Sequence, residues 1–173
     1  HQAQNSVLAM EATKMFEPKI TEKTIKNGLR KVFWPGRLEL LEDFIYFDVA
    51  HNKSSIISVF NTIKTLFPNR DLVVLFCLKA DKEPSLFAKY FKQNVRKLYI
   101  TTDNSKALMD PITLSGTMHN NGCTNKVFNN IKEGITKIKF DVKEGAIGLI
   151  LGSHFIAEEV YKEFQISFDP DQI

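Results

Sequence analysis

Phe47-Asp48-Val49-Ala50-His51-Asn52 closes the apolar run Phe44-Ile45-Tyr46-Phe47 and leads at once into a helix-like stretch from Ser54 to Phe67. A strand that stops on an acid, a histidine and an asparagine just before a helix puts polar side chains at the carboxyl end of a strand, where open α/β sheets bind ligands. The stretch therefore predicts a fold and a site together. Ile56, Ile57, Phe60, Ile63 and Phe67 recur at helical spacing, and Pro68-Asn69 is expected to end the helix.

Downstream, the alternation continues. Leu72 to Leu78 is a continuous apolar run of strand length, as a parallel strand covered on both faces requires. Leu86 to Phe91 is helical in period, and Leu98 to Thr101 reads as a short strand. Thr102 to Asn125 is polar, rich in Asn, Ser, Thr and Gly, and poorly periodic, and no element is read there. Val127, Ile131, Ile135 and Ile138 predict a helix, Ala146 to Leu151 a buried strand, and Phe155 to Phe164 a last helix. Upstream, Leu38 to Leu41 and Phe44 to Val49 read as strands around a turn at Glu42-Asp43. Residues 3–16 and 21–32 read as two short helices, the second capped by Thr21 and broken near Gly28. Strands alternating with helices predict an α/β domain with a mostly parallel, Rossmann-like sheet and helices on both faces, preceded by two short helices.

With 173 residues, 43% hydrophobic and 25% charged, the chain has the makings of one soluble domain with a sizeable core. Its 23 basic and 20 acidic residues are scattered, giving a net charge of +3 without the dense basic block that tracks nucleic acid. Neither nucleic acid nor a membrane is expected as a partner. No apolar run approaches the roughly 18 residues that span a bilayer, and no signal peptide opens the chain. Cys77 and Cys123 have no paired framework, which suits a reducing compartment. The expectation is a cytoplasmic protein, with a mitochondrial isoform also compatible. The chain opens on His1 inside a predicted helix, as a piece of a longer protein would.

The chemistry is first limited by what is missing. A phosphate-cradling loop needs glycines ahead of a Lys-Ser/Thr pair, and none occurs; nor does GxGxxG follow a strand. If the chain handles a nucleotide, it forms one wall of a site whose phosphate loop lies elsewhere. Arg37, after the tight Pro35-Gly36, carries a planar, always-charged fork suited to phosphate oxygens, though a surface arginine after a turn is the plainer reading. Asp48 and His51 stand three residues apart at a strand-to-helix turn, where Asp48 or Asn52 could equally be a helix cap. Leu78-Lys79-Ala80-Asp81-Lys82-Glu83 follows the second central strand on the ligand side of a parallel sheet, with a solvated loop as the alternative. Leu151-Gly152-Ser153 ends the last strand, where Ser153 can cap a helix whose amino terminus also suits a carboxylate. His51, His119 and His154 lie far apart without a partner at ligand spacing, so no metal site is expected. No nucleophile elbow surrounds Ser153.

Two motifs taken together carry a resemblance. Trp34-Pro35-Gly36-Arg37, followed within one strand by Asp48-Val49-Ala50-His51-Asn52, resembles the carboxy-terminal domain of folylpolyglutamate synthase, including the bifunctional dihydrofolate synthase form, within the Mur ligase superfamily. Gln2-Ala3-Gln4-Asn5-Ser6 matches the helix that opens the last part of that family's central ATPase domain, and Gly28-Leu29 the end of its next helix. The resemblance thus implies that residues 1–32 are terminal helices of the ATPase domain and 33–173 a glutamate-ligase domain. It covers residues 2 to about 164. It is weakest over 102–125, where Asn104-Ser105-Lys106-Ala107 and a polar insertion stand in place of the family's arginine-alanine pair. Lys53 stands where the family usually has proline, and Glu83 replaces the last acid of the aspartate-lysine-aspartate element.

What the resemblance implies is an ATP-dependent ligase joining L-glutamate to a folate or to dihydropteroate through an acyl phosphate. Asn5, Arg37 and Asp48 are then the ATP-binding residues, with Arg37 reaching the phosphates and Asp48 the ribose. His51 and Ser153 bind glutamate, Arg37 and His51 are catalytic, and Asp81 and Lys82 are secondary candidates. Mg²⁺ and the phosphate loop belong to the central domain, so the amino-terminal and central domains of the same chain are the partners, the whole is expected to be a monomer, and this chain alone is expected to be inactive. A peptidoglycan amino-acid ligase and a non-catalytic binding module remain the alternatives.

Overall fold

The computed structural model describes residues 2–103 and 106–167. His1, Asn104 and Ser105 lie outside the described residues, as do the side chains of Gln2 and Gln4. The chain falls into two compact units divided between Trp34 and Pro35.

The first unit consists of α1 (Gln2–Phe16) and α2 (Glu22–Lys31). Thr21 caps α2 by accepting the Thr24 N–H at 3.2 Å. The expected break at Gly28 does not occur, and α2 runs through it. A mid-helix glycine costs about 1 kcal/mol relative to alanine, which weakens a helix without ending it.

The second unit is built from β1 (Glu39–Glu42), β2 (Ile45–Asp48), α3 (Lys53–Leu66), β3 (Leu72–Phe76), α4 (Ser85–Asn94), β4 (Lys97–Ile100), α5 (Pro111–Asn120), β5 (Asn125–Val127), α6 (Ile131–Lys143), β6 (Ile147–Leu151) and α7 (Ala157–Glu163), with a 3-10 turn at His154–Ile156. The six strands lie in the order β1-β2-β6-β3-β4-β5, and every neighbouring pair is parallel except β1 with β2. The α/β architecture, with its mostly parallel sheet, is the predicted one.

Two corrections concern the stretch after β4. Residues 102–125 are not without an element, because α5 spans Pro111–Asn120. Asp110 caps it by accepting the Thr113 N–H at 2.8 Å, and proline follows at the first helical position. Only Leu114 and Met118 of α5 are buried, too few to show a period. Val127 is not the start of a helix either. It ends β5, paired with Ile100, and α6 begins only after Asn130, whose side chain accepts the Glu133 N–H at 2.9 Å. A strand residue that happens to stand four before Ile131 had imitated helical spacing.

Helix placement follows from the order in which the strands are laid down. From β2 through β3 and β4 to β5 the chain steps in one direction, and right-handed crossovers put α3, α4 and α5 on one face. There Ile56, Val59, Phe60 and Ile63 of α3, Phe87 and Phe91 of α4 and Leu114 of α5 pack on Val74 and Phe76. Burying each large apolar side chain contributes about 1.5–3 kcal/mol before chain entropy is subtracted. The return from β5 to β6 reverses direction, which sends α6 to the other face. Ile131, Ile135 and Ile138 meet Val73 and Leu75 there, and Ile156 and Val160 join them.

Candidate functional site

β6 lies between β2 and β3, with Asp48 level with Leu151 and Leu151 level with Phe76. The chain leaves β2 and β3 toward the face of α3 and α4, but it leaves β6 toward the opposite face. Adjacent strands whose connections part in this way open a crevice at their carboxyl ends, the place where such sheets bind ligands. Asp48 and Ser153 therefore end neighbouring strands, as the sequence predicts. The strand ends are laced together: the Gly152 N–H donates to the Asp48 carbonyl at 3.4 Å, and the Cys77 N–H to the Leu151 carbonyl at 3.1 Å. Gly152 has φ +122, and a Cβ there would stand 1.7 Å from the Cys77 carbonyl oxygen.

The loop carrying Arg37 is gripped on both sides. Asp48 accepts the Leu38 N–H at 2.8 Å and the Ala50 N–H at 2.7 Å, one on each carboxylate oxygen. Glu39 accepts the Gly36 N–H at 2.8 Å, and the Gly36 carbonyl accepts the Val49 N–H at 2.9 Å. Gly36 has φ +66, and a Cβ would approach Val49 Cγ1 to 2.8 Å, so the tight turn and the close packing both require glycine. Arg37 itself is exposed, and its guanidinium makes no hydrogen bond or ion pair among the described residues. Burial pushes the Asp48 carboxyl above the usual carboxylate range, against the two backbone donors and the Arg37 charge, which pull it down.

Asp48 is not the cap of α3. That role belongs to Asn52, whose Oδ1 accepts the Ser55 N–H at 3.0 Å while Ser55 reciprocates in a capping box. Lys53 occupies the first helical position without disturbing it. His51 is half-buried in the turn, with Nδ1 2.9 Å from the Val49 carbonyl oxygen. A carbonyl can only accept, so this contact selects the tautomer with the proton on Nδ1 and with Nε2 as the acceptor. The turn thus offers a base of fixed orientation.

Ser153 is 3% exposed and caps the 3-10 turn by accepting the Phe155 N–H at 3.2 Å. Cys77, the residue after β3, is fully buried, and burial raises its thiol pKa well above the ordinary value, which disfavours the thiolate. Asp81 and Lys82 lie in the loop after β3. Asp81 is held by Lys79 at 3.1 Å and Lys82 at 3.7 Å, and the Lys79 hydrogen bond lowers its pKa first of all. The loop is tied to the one after β4 by the Ala80 N–H donating to Ala107 and the Met109 N–H to Leu78. Asn5 lies in α1, in the first unit.

Glu39 and Tyr161 join the loop that carries Arg37 without a clear signal in the sequence. The Tyr161 hydroxyl donates to Glu39 Oε2 at 2.5 Å, and both residues are buried. An acid placed inward by strand alternation is a weak signal for Glu39; Tyr161, 122 residues away, has none. Among the described residues no group of three or more His, Cys, Asp or Glu side chains could hold a metal ion, and no helix is long and apolar enough to cross a membrane.

The fold recurs in known proteins. Residues 36–154 match the family described as Mur ligase, glutamate ligase domain. Over 88 residues the chain is 34% identical to the dihydrofolate synthase/folylpolyglutamate synthase of Bacillus subtilis (strain 168), a match covering 47% of this chain and 20% of that protein. The crystal structure of Helicobacter pylori folylpolyglutamate synthetase is 25% identical, with a TM-score of 0.67 over 91% of this chain and 38% of that one. Folylpolyglutamate synthase of Mycobacterium tuberculosis, complexed with ADP and AMPPCP, superposes with a TM-score of 0.87 at 21% identity over 96% of this chain, which there spans 40% of its relative.

Proposed function

We propose, from the premise that the chain belongs to the Mur ligase family as its glutamate ligase domain, that it is the carboxy-terminal part of an ATP-dependent ligase adding L-glutamate to folates or to dihydropteroate. The reading is carried by one juxtaposition: the Arg37 loop and His51 at the end of β2, with Ser153 at the end of the adjacent β6. The matched relatives are longer than this chain by more than twofold, and a folate synthase of this kind would draw its remaining parts from an amino-terminal and a central ATPase domain. Residues 1–32 belong, in this reading, to the end of that ATPase domain, and 33–173 to the glutamate-ligase domain.

ATP phosphorylates the acceptor carboxylate to an acyl phosphate and leaves as ADP; the glutamate amine then attacks the acyl carbon, and inorganic phosphate departs as the amide forms. The free fork of Arg37 stabilises charge on the transferring phosphoryl group, where a fixed donor matters most in the transition state. Asp48 uses two of its roughly four lone-pair sites on backbone donors; a remaining one serves the ribose. The Nε2 lone pair of His51 receives the amine proton, and Ser153 with the adjoining backbone holds a glutamate carboxylate. Asp81 and Lys82 border the site from the β3 loop. Mg²⁺ is assigned in this reading to the central domain, and no step here passes through it. A monomer in the cytoplasm, or in mitochondria for an isoform, goes with this reading.

The test is ATP-dependent incorporation of labelled glutamate by the complete polypeptide, supplied in parallel with folates, dihydropteroate and muramyl nucleotide precursors. Glutamylated folate or pteroate is the expected product. Incorporation only into the muramyl acceptors would reassign the chain to the peptidoglycan branch, and none at all would leave a binding module.

A further inference from the structure

We infer that Glu39 and Tyr161 form a positioning pair that aims Arg37 and couples it to the Ser153 segment; the inference rests on Arg37 being the phosphate-binding residue. Arg37 stands between two amides, and each is held by a different buried carboxylate: Gly36 N–H by Glu39 at 2.8 Å and Leu38 N–H by Asp48 at 2.8 Å. One anchor belongs to the strand that ends in the site. The other reaches a different element, because Glu39 Oε2 also accepts the Tyr161 hydroxyl at 2.5 Å.

Tyr161 lies on α7, eight residues after Ser153, and α7 follows directly on the 3-10 turn that Ser153 caps. Its ring is fixed in turn, edge-on to Phe47 of β2 with centroids 5.7 Å apart. Burial first, and then the Glu39 contact, push its hydroxyl pKa well above the ordinary value, so it stays a donor throughout the working pH range. A carboxylate 8% exposed needs its donors, since an unpaired buried acceptor is costly. Without Tyr161's hydroxyl, the Glu39 oxygen that fixes Gly36 loses the partner that fixes it. A ligand that settles on Ser153 and orders the segment from 153 to 161 therefore also orders the loop that aims Arg37. Amino-acid capture then primes the phosphoryl side, and linkage requires the reverse as well.

The test is Tyr161→Phe in the complete enzyme, with Glu39→Gln as a second variant that keeps an acceptor for Gly36. Tyr161→Phe is expected to lower kcat by about tenfold to a hundredfold, the loss that a misplacement of roughly 1 Å produces. Hydrogen exchange over the peptide from Gly36 to Glu42 should rise. In an Arg37→Ala background, Tyr161→Phe should slow the enzyme no further, because a residue acting through Arg37 has nothing left to position. Glu39→Gln should retain more activity than Tyr161→Phe. Multiplicative losses in the double variant, or unchanged exchange over the peptide, would overturn the inference. Should the wild-type protein ligate no glutamate at all, the proposed function fails, and the exchange measurement still decides whether the pair holds the loop.

Discussion

Gly152→Ala tests whether the site's geometry is imposed by strand packing. The new Cβ would meet the Cys77 carbonyl oxygen at 1.7 Å and its carbon at 2.9 Å, both backbone atoms that no rotamer change can move. Ordinary contact distance is about 3.5 Å, so β6 and β3 would have to part by well over an ångström at their carboxyl ends. That displacement breaks the Cys77 N–H bond to Leu151, 3.1 Å long, at about 0.5–1.5 kcal/mol. Overpacking of a tight contact adds about 1–3 kcal/mol. Forcing a Cβ residue to φ +122 adds about 1–3 kcal/mol more. The expected loss is about 2.5–7.5 kcal/mol, a large part of the roughly 5–15 kcal/mol typical of a domain.

Gly145→Ala is the matched control, for it has φ +101 but nothing within 4 Å of its would-be Cβ. It carries the conformational term alone, about 1–3 kcal/mol. Urea unfolding followed by far-ultraviolet circular dichroism measures both variants. If the two losses agree within about 0.5 kcal/mol, near the limit of such measurements, then steric approach does not fix Gly152 and the reasoning fails.

Three further outcomes are expected. In the complete enzyme, Arg37→Ala should cut turnover by orders of magnitude with the fold retained, and Arg37→Lys should rescue poorly because the planar fork is lost; wild-type turnover in a folded Arg37→Ala protein would count against the phosphate role. His51→Ala and Ser153→Ala should each raise the glutamate KM far more than the ATP KM, whereas Asp48→Ala should act mainly on ATP and on stability, as steady-state kinetics with each substrate varied would show. Asp141, 1% exposed, is pushed up by burial but held below the usual carboxylate range by Lys97 at 2.8 Å, Tyr99 at 2.5 Å and Lys137 at 3.0 Å. A depressed carboxyl stabilises the fold above its unfolded pKa and ceases to as pH falls through its folded one. Asp141→Asn should therefore cost about 1.5–3 kcal/mol at neutral pH, and its gap from wild type should close in acid, as unfolding curves at both pH values would reveal.

The parallel core was legible because strands covered on both faces become unbroken apolar runs: Leu72 to Phe76 and Ile147 to Leu151 are buried at every position. α5 was not, since two buried side chains in ten residues leave no period to read. β5 was hidden for a related reason. It has three residues and none is fully buried, so an edge strand of that kind carries almost no apolar signal. The placement of Arg37, His51 and Ser153 at turns and strand ends was legible because such positions announce themselves locally. The network behind them could not. The sequence offers Asp48 as a ligand-facing acid or a helix cap, but its nearest partners are the amides of Leu38 and Ala50, and the Leu38 contact depends on how a hairpin folds back.

That network explains how an exposed arginine stays available beside two carboxylates. If Asp48 or Glu39 paired directly with Arg37, phosphate binding would first have to break a charge-assisted contact, at about 1.5–3 kcal/mol. Both acids are instead directed at backbone amides on either side of it, Gly36 and Leu38, and Glu39 takes Tyr161 as well. The attraction between Arg37 and Asp48 survives as a field rather than a bond, weakly lowering the Asp48 pKa while burial raises it. Long-range Coulomb attraction falls off slowly with distance, whereas a hydrogen bond is lost within an ångström. The loop can therefore be anchored by negative charge without its cation being captured by it, which leaves the fork free for an anion arriving at the carboxyl edge of the sheet.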